Sequence, residues 1–179
     1  FFGKMYYSLN EKYLVELGMR RDGSSLFAPN MKWGNFPSLA LGWNIGNEEF
    51  LKGVEAISQF KIRGSYGMLG NNNIDPYKYQ STVSTGNGVE TAIGNSGITW
   101  EKVGILDIGS DLSLFDRQLD FTFDWYNKQT NDLILSPQPT LTSGLLTGPI
   151  NIGSVKNVGW ELKIGYNKTL SKDANLSVN

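Results

Sequence analysis

Four aspartates, Asp107, Asp111, Asp120 and Asp124, stand at alternating positions on two neighbouring strand-like runs. A four-residue turn, Phe115-Asp116-Arg117-Gln118, would pair Asp111 with Thr122 and Asp124 with Gly109. Asp111 then lies diagonal to both Asp120 and Asp124, at roughly 7–8 Å. That range overlaps the separation of about 6.5–9.5 Å between the carboxylates of inverting glycosidases. The plainer reading is a solvated polar face, because a wet surface gives no reason for one acid to stay protonated.

Other chemistry is thinner. Asn71-Asn72-Asn73-Ile74-Asp75 offers oxygens to a cation but lacks the bidentate Glu of a calcium loop. Gly64, Gly67 and Gly70 have neither the spacing nor the strand-to-helix setting of a dinucleotide loop. The chain has no cysteine and no histidine. Disulfides, thiol nucleophiles, Cys/His zinc sites and imidazole bases are therefore excluded. Sixteen basic and seventeen acidic residues nearly cancel, so nucleic acid is not an expected partner. No cofactor is implied. Trp33, Tyr77, Tyr79 and Trp100 read as lying in polar connections. Their faces could pack on the C–H faces of sugars, or fold into their own loops.

The elements carrying these residues read as strands. Residues 1–9 place Met5, Tyr7 and Leu9 on one face, and a tight turn at Asn10-Glu11-Lys12 follows. Residues 13–21 place Tyr13, Val15, Leu17 and Met19 with them, and Glu16 and Arg20 opposite. A three-residue turn pairs Leu9 with Tyr13 and Tyr7 with Val15, so the faces match. Further strands are predicted at 36–46, 60–69, 103–114, 119–126 and about 160–167, with a truncated eighth after a turn at 169–175. Lys61 and Arg63 fall opposite Ile62, and Glu161 and Lys163 opposite Trp160 and Leu162. Residues 47–59 carry a weak helical period that predicts a turn or two of helix. Three stretches, 22–35, 70–101 and 127–157, read as loops, the last punctuated by Pro137, Pro139, Gly144 and Pro149.

Every second connection is therefore tight and the rest are long. Each segment runs about ten residues, longer than most soluble strands and close to a tilted bilayer crossing. The apolar face is nearly free of charge, while Glu16, Arg20, Lys61, Arg63, Asp107, Asp111, Asp120 and Asp124 share the other. A lipid-facing wall excludes charge, at about 2–4 kcal/mol per midplane Lys or Arg. Aromatics such as Trp43, Trp125 and Trp160 fall near the ends of apolar faces, as an interfacial belt requires. A soluble β-sandwich also alternates apolar and polar residues, so a soluble ligand-binding module or adhesin stays open. No apolar run approaches the roughly 18 residues of a membrane-spanning helix. The chain opens and closes in what read as strands, which suggests a piece of a longer protein.

Several blocks carry a family resemblance. They are Arg21-Asp22-Gly23-Ser24-Ser25, Lys32-Trp33-Gly34, Phe36-Pro37-Ser38 and Arg63-Gly64-Ser65-Tyr66-Gly67. Thr99-Trp100-Glu101-Lys102, Asp124-Trp125-Tyr126 and Asn157-Val158-Gly159-Trp160-Glu161 follow in the same order. Together they resemble TonB-dependent receptors of the SusC/RagA type over nearly the whole chain. The resemblance implies an all-β antiparallel meander of about eight strands, part of a transmembrane barrel of about 22 strands. It implies residues 1–179 as a barrel segment, without the plug domain or the closing C-terminal strands. It further implies glycan or peptide import across a Gram-negative outer membrane, a SusD-like lid lipoprotein, and TonB coupling through N-terminal regions outside this chain. No enzymatic activity is expected.

Overall fold

A computed structural model of the chain describes residues 1–138, 144–171 and 174–178. The expected turn residue Pro139 and the turn tip at 172–173 lie outside the described residues. The strands are β1 (Phe2–Leu9), β2 (Tyr13–Gly23), β3 (Trp33–Asn44), β4 (Ile57–Asn71), β5 (Thr82–Val83), β6 (Glu90–Ile93) and β7 (Glu101–Leu114). They continue as β8 (Leu119–Asn131), β9 (Ile134–Leu135), β10 (Leu146–Thr147), β11 (Ile150–Asn151), β12 (Ser154–Ser171) and β13 (Ala174–Val178). Eight of them form one antiparallel sheet in the order β1-β2-β3-β4-β7-β8-β12-β13. The short strands form two small sheets, β10-β6-β5 and β11-β9.

The tight turns set the expected registers. Leu9 pairs with Tyr13 and Tyr7 with Val15. Asp111 pairs with Thr122 and Gly109 with Asp124. Both turns use left-handed backbone at non-glycine residues, Asn10 and Glu11 in one and Phe115, Asp116 and Arg117 in the other. That hand matches the twist of the strands it joins. The long strands exceed expectation: β4 has 15 residues and β12 has 18. They run past the roughly 9–11 residues of a bilayer crossing into the region of the long loops.

The helix expected in 47–59 does not form. A single 3-10 turn, Ile45–Asn47, precedes irregular turns. Asn44 and Asn47 both donate their side-chain amides to the Glu11 carbonyl, at 2.6 and 3.1 Å. Those bonds hold the segment against the neighbouring turn, and Gly53 at φ +111° breaks the helical path.

Strand register separates the faces. One row runs Tyr7, Val15, Leu41, Gly64, Ile108, Trp125 and Trp160 across the sheet. The adjacent row runs Tyr6, Glu16, Ala40, Ser65, Asp107, Tyr126 and Gly159. In a sandwich the apolar face would be covered. Here Leu39, Ile108, Phe123 and Ile164 are 39, 48, 42 and 50% exposed. A contiguous apolar face of that extent costs about 25 cal/mol for each Å² left in water, and single soluble domains avoid it.

The buried core lies elsewhere, at the long-loop end. Phe27, Phe36, Ile98 and Trp100 pack together there, with Met31, Met68, Ile74, Tyr79 and Ile134 against them. Its position follows from a proline. The β3–β4 ladder ends at Ser38 paired with Gly67, although both strands continue. Pro37, which has no N–H to donate, is the first residue past that ladder. Phe36 fills the gap beyond it. Gly70 leaves room there, since a Cβ on it would collide with the Phe36 ring and stand 2.9 Å from Trp100.

Candidate functional site

Two structures could act on a ligand: the charged face of the sheet and the cap of long loops. On the charged face, Arg63 is the hub. Its guanidinium reaches Asp107 at 3.3 Å, Asp111 at 3.1 Å and Asp124 at 2.6 Å. The fork geometry of Arg allows this, whereas a Lys ammonium could not span three carboxylates as well. Space comes from Gly109, which lies between Arg63 and Asp124 in the register. A Cβ on Gly109 would collide with Asp124 Oδ1 and stand 2.7 Å from Arg63 Cζ.

The guanidinium therefore occupies the space between Asp111 and Asp124 that a glycosidic oxygen and a water would need. The fourth aspartate, Asp120, accepts from Ser113 Oγ at 2.6 Å and from Asn167 Nδ2 at 3.2 Å. Elsewhere on this face Glu16 pairs with Lys4 at 2.8 Å. Arg20 pairs with Asp22 at 2.8 Å and lies 5.3 Å over the Phe36 ring. Lys61 stands opposite Asp111 in the register. All eight charges expected on one face share it.

The candidate calcium loop is committed to structural bonds. Asn71 donates to Glu101 at 3.2 Å and Asn72 to Ser24 Oγ at 3.0 Å. Among the described residues no group of three or more acids is placed to hold a metal ion.

The loop aromatics divide. Trp100 is not displayed: it is 5% exposed, packed on Phe27 at 5.4 Å and Phe36 at 5.5 Å, and donates Nε1–H to the Lys32 carbonyl at 3.0 Å. Tyr79 packs partly against the same cluster. Trp33 is not in a loop but is the first residue of β3, paired with Gly23. Its ring stacks on Phe1 at 6.4 Å and lies under Arg21 at 5.1 Å. Tyr77 is 68% exposed, at a positive φ of 65°.

Sequence reasoning missed that the three long loops form one cap. Asn151 knits two of them, donating to the Thr99 and Asp132 carbonyls at 2.9 Å and accepting from Thr99 N at 2.8 Å. Asn95 donates to the Pro149 carbonyl at 2.9 Å. The available signal was two apolar groups, Leu26-Phe27-Ala28 and Ile98 with Trp100, inside otherwise polar stretches.

Glu48, also missed, organises the short-turn end. Its carboxylate accepts from Lys12 Nζ at 2.8 Å, Tyr13 Oη at 2.8 Å and Trp43 Nε1 at 3.1 Å. The Lys12 ammonium, helped by the indole and phenol donors, lowers its pKa from the usual 4.5 to about 2. A carboxylate with a depressed folded pKa stabilises fully above its unfolded pKa, and that contribution fades as pH falls from about 4.5 towards about 2. Glu48→Gln is expected to remove the loss of stability in that window, as read by urea unfolding of the full-length protein in detergent at stepped pH. An unchanged acid limb would contradict this role.

A zigzag sheet with one bare apolar face, one ion-paired face, short turns at one end and long connections at the other matches known proteins. The family described as TonB dependent receptor-like, beta-barrel, matches residues 1–179.

The chain belongs to this family.

A TonB-dependent receptor of Formosa agariphila, P39, is 38% identical over 170 residues, covering 91% of this chain and 16% of its own length. The SusC receptor of Bacteroides thetaiotaomicron is 35% identical over 188 residues, covering 97% of this chain and 19% of its own length. The chain thus spans under a fifth of these curated relatives. The solved RagAB peptide importer in its closed-closed state superposes with a TM-score of 0.88 at 27% identity, over 98% of this chain and 20% of that one. The siderophore receptor PirA of Pseudomonas aeruginosa, at 16% identity and a TM-score of 0.59, shares the fold alone. The SusC/RagA-type resemblance of this receptor segment and its antiparallel β-barrel class both hold.

Proposed function

We propose that residues 1–179 are a wall segment of a SusC-like active importer in the outer membrane of a Gram-negative bacterium. The bare apolar face of the sheet carries this reading. A lipid-facing wall is where side chains such as Leu39 and Ile164 are stable while uncovered. The face bearing Glu16, Arg20, Lys61, Arg63, Asp107, Asp111, Asp120 and Asp124 then lines a wet interior. The plug domain and closing strands belong to the rest of the protein.

The imported ligand is a glycan or a peptide, gated by a SusD-like surface lipoprotein and driven through TonB. The likeness to SusC and to a peptide importer supports this. Among the four loop aromatics, Tyr77 is the best placed to meet the ligand, and Trp33 stands at the rim. Trp100 and Tyr79 serve by holding the cap.

Detergent phase partition of the full-length protein tests the assignment. Recovery in the detergent phase is expected. Recovery in the aqueous phase would end it in favour of a soluble binding module or adhesin.

A further inference from the structure

The apolar face does not stay apolar to its end. Towards the long loops, the row Tyr66, Leu106, Asn127 and Val158 marks a change. Beyond it, Gln129 pairs with Gly104 and Lys156, and Lys102 pairs with Asn131. By strand alternation these side chains point to the same side as Ile108 and Trp125.

A cavity of about 310 Å³ opens there, lined among others by Tyr66, Lys102, Gly104, Asn127, Gln129 and Asp132. Gly104 forms its floor, with Tyr66 Oη 3.3 Å from where a Cβ would stand. Lys102 Nζ lies 3.8 Å from Asp132 Oδ2. Gln129 donates to Asn131 Oδ1 at 3.1 Å. The buried oxygen of the Asn127 amide has no hydrogen-bond partner among the described residues. That oxygen waits for a donor, and hydrocarbon offers none.

We propose that this outward notch binds the headgroup of a membrane lipid that carries both phosphate and sugar hydroxyls. This rests on the reading above that the face meets the membrane. Lys102 lines the notch beside the one acid there, Asp132, and Lys156, outside the lining, neighbours Gln129 in the register, so the local balance favours phosphate by one positive charge. Hydroxyls supply the Asn127 amide with its missing bond. Continuity with the apolar wall selects a lipid over a free solute: its chains lie along Ile108, Trp125 and Trp160 while its headgroup fills the notch.

The test is native mass spectrometry of the full-length receptor in mild detergent, titrated with phosphorylated lipid A or its dephosphorylated form. The receptor is expected to retain the phosphorylated form preferentially. Lys102→Gln, at an exposed site, should weaken retention about fivefold. Gly104→Leu should fill the notch and abolish it, and Lys61→Gln, on the opposite face, should leave it unchanged. Equal retention of the two lipids, or normal retention by Lys102→Gln, overturns the proposal. So does displacement of the lipid by inorganic phosphate, which would put a free anion in the notch. A receptor that enters the detergent phase yet shows no preference sinks this inference alone. One that stays in the aqueous phase sinks the membrane reading itself.

Discussion

Trp100→Ala should open the loop cap while leaving the long sheet paired. The ring is 5% exposed, touches Phe27 and Phe36, and donates to the Lys32 carbonyl. Truncating a buried aromatic of this kind costs about 3–5 kcal/mol, because the transfer energy is lost and a cavity remains. Its indole also bridges loop 72–100 to loop 24–32, and without it the Lys32 carbonyl keeps only the bond from Ser24 N. The β4–β7 ladder, from Ile57 with Leu114 to Asn71 with Glu101, does not depend on that ring. Local opening should therefore precede global unfolding. Limited proteolysis of the full-length receptor should show cleavage within 72–100 rising up to about a thousandfold, with the heat-stable mobility of the barrel retained. Cleavage at the wild-type rate would refute the cap as a cooperative unit.

Arg63→Leu should destabilise the sheet itself. It strands Asp107, Asp111 and Asp124, whose backbone positions are set by the register. Removing one member of a fully buried ion pair costs about 3–5 kcal/mol. The Arg63 side chain is 33% exposed, so screening lowers the expected loss to about 2–3 kcal/mol. Urea unfolding in detergent should report it. Adding Asp107→Asn and Asp124→Asn to Arg63→Leu should recover most of the loss, because the repulsion goes with the charges. Gly109→Ala should reproduce part of the effect with every charge present, since its methyl pushes Asp124 off the guanidinium. Equal stability of Arg63→Leu and wild type would show the cluster to be ornamental.

The sheet was legible because its signal is local. Alternation assigns each side chain a face, and two tight turns then fix the pairing of Tyr7 with Val15 and of Asp111 with Thr122. The eight charges followed from the same parity. The cap was not legible, because its determinants are far apart in sequence. Phe27 and Trp100 meet only after four strands have paired, and nothing near either residue announces the other. Trp33 was misplaced for a related reason. Gly23, Ser24 and Gly34 look like loop residues, but the β2–β3 ladder runs on to Gly23 opposite Trp33 because β2 supplies a partner that far. Glu48 looked like part of a weak helix, yet it binds Lys12, Tyr13 and Trp43 from other segments.

The order of the long sheet bears on how such a wall is assembled. Each long strand lies beside the next long strand of the chain, and the connections that skip ahead, from β4 to β7 and from β8 to β12, carry their short strands outside it. No segment has to thread past one already in place. The wall can grow hairpin by hairpin, and its two slowest additions are the ones that must first close the longest loops.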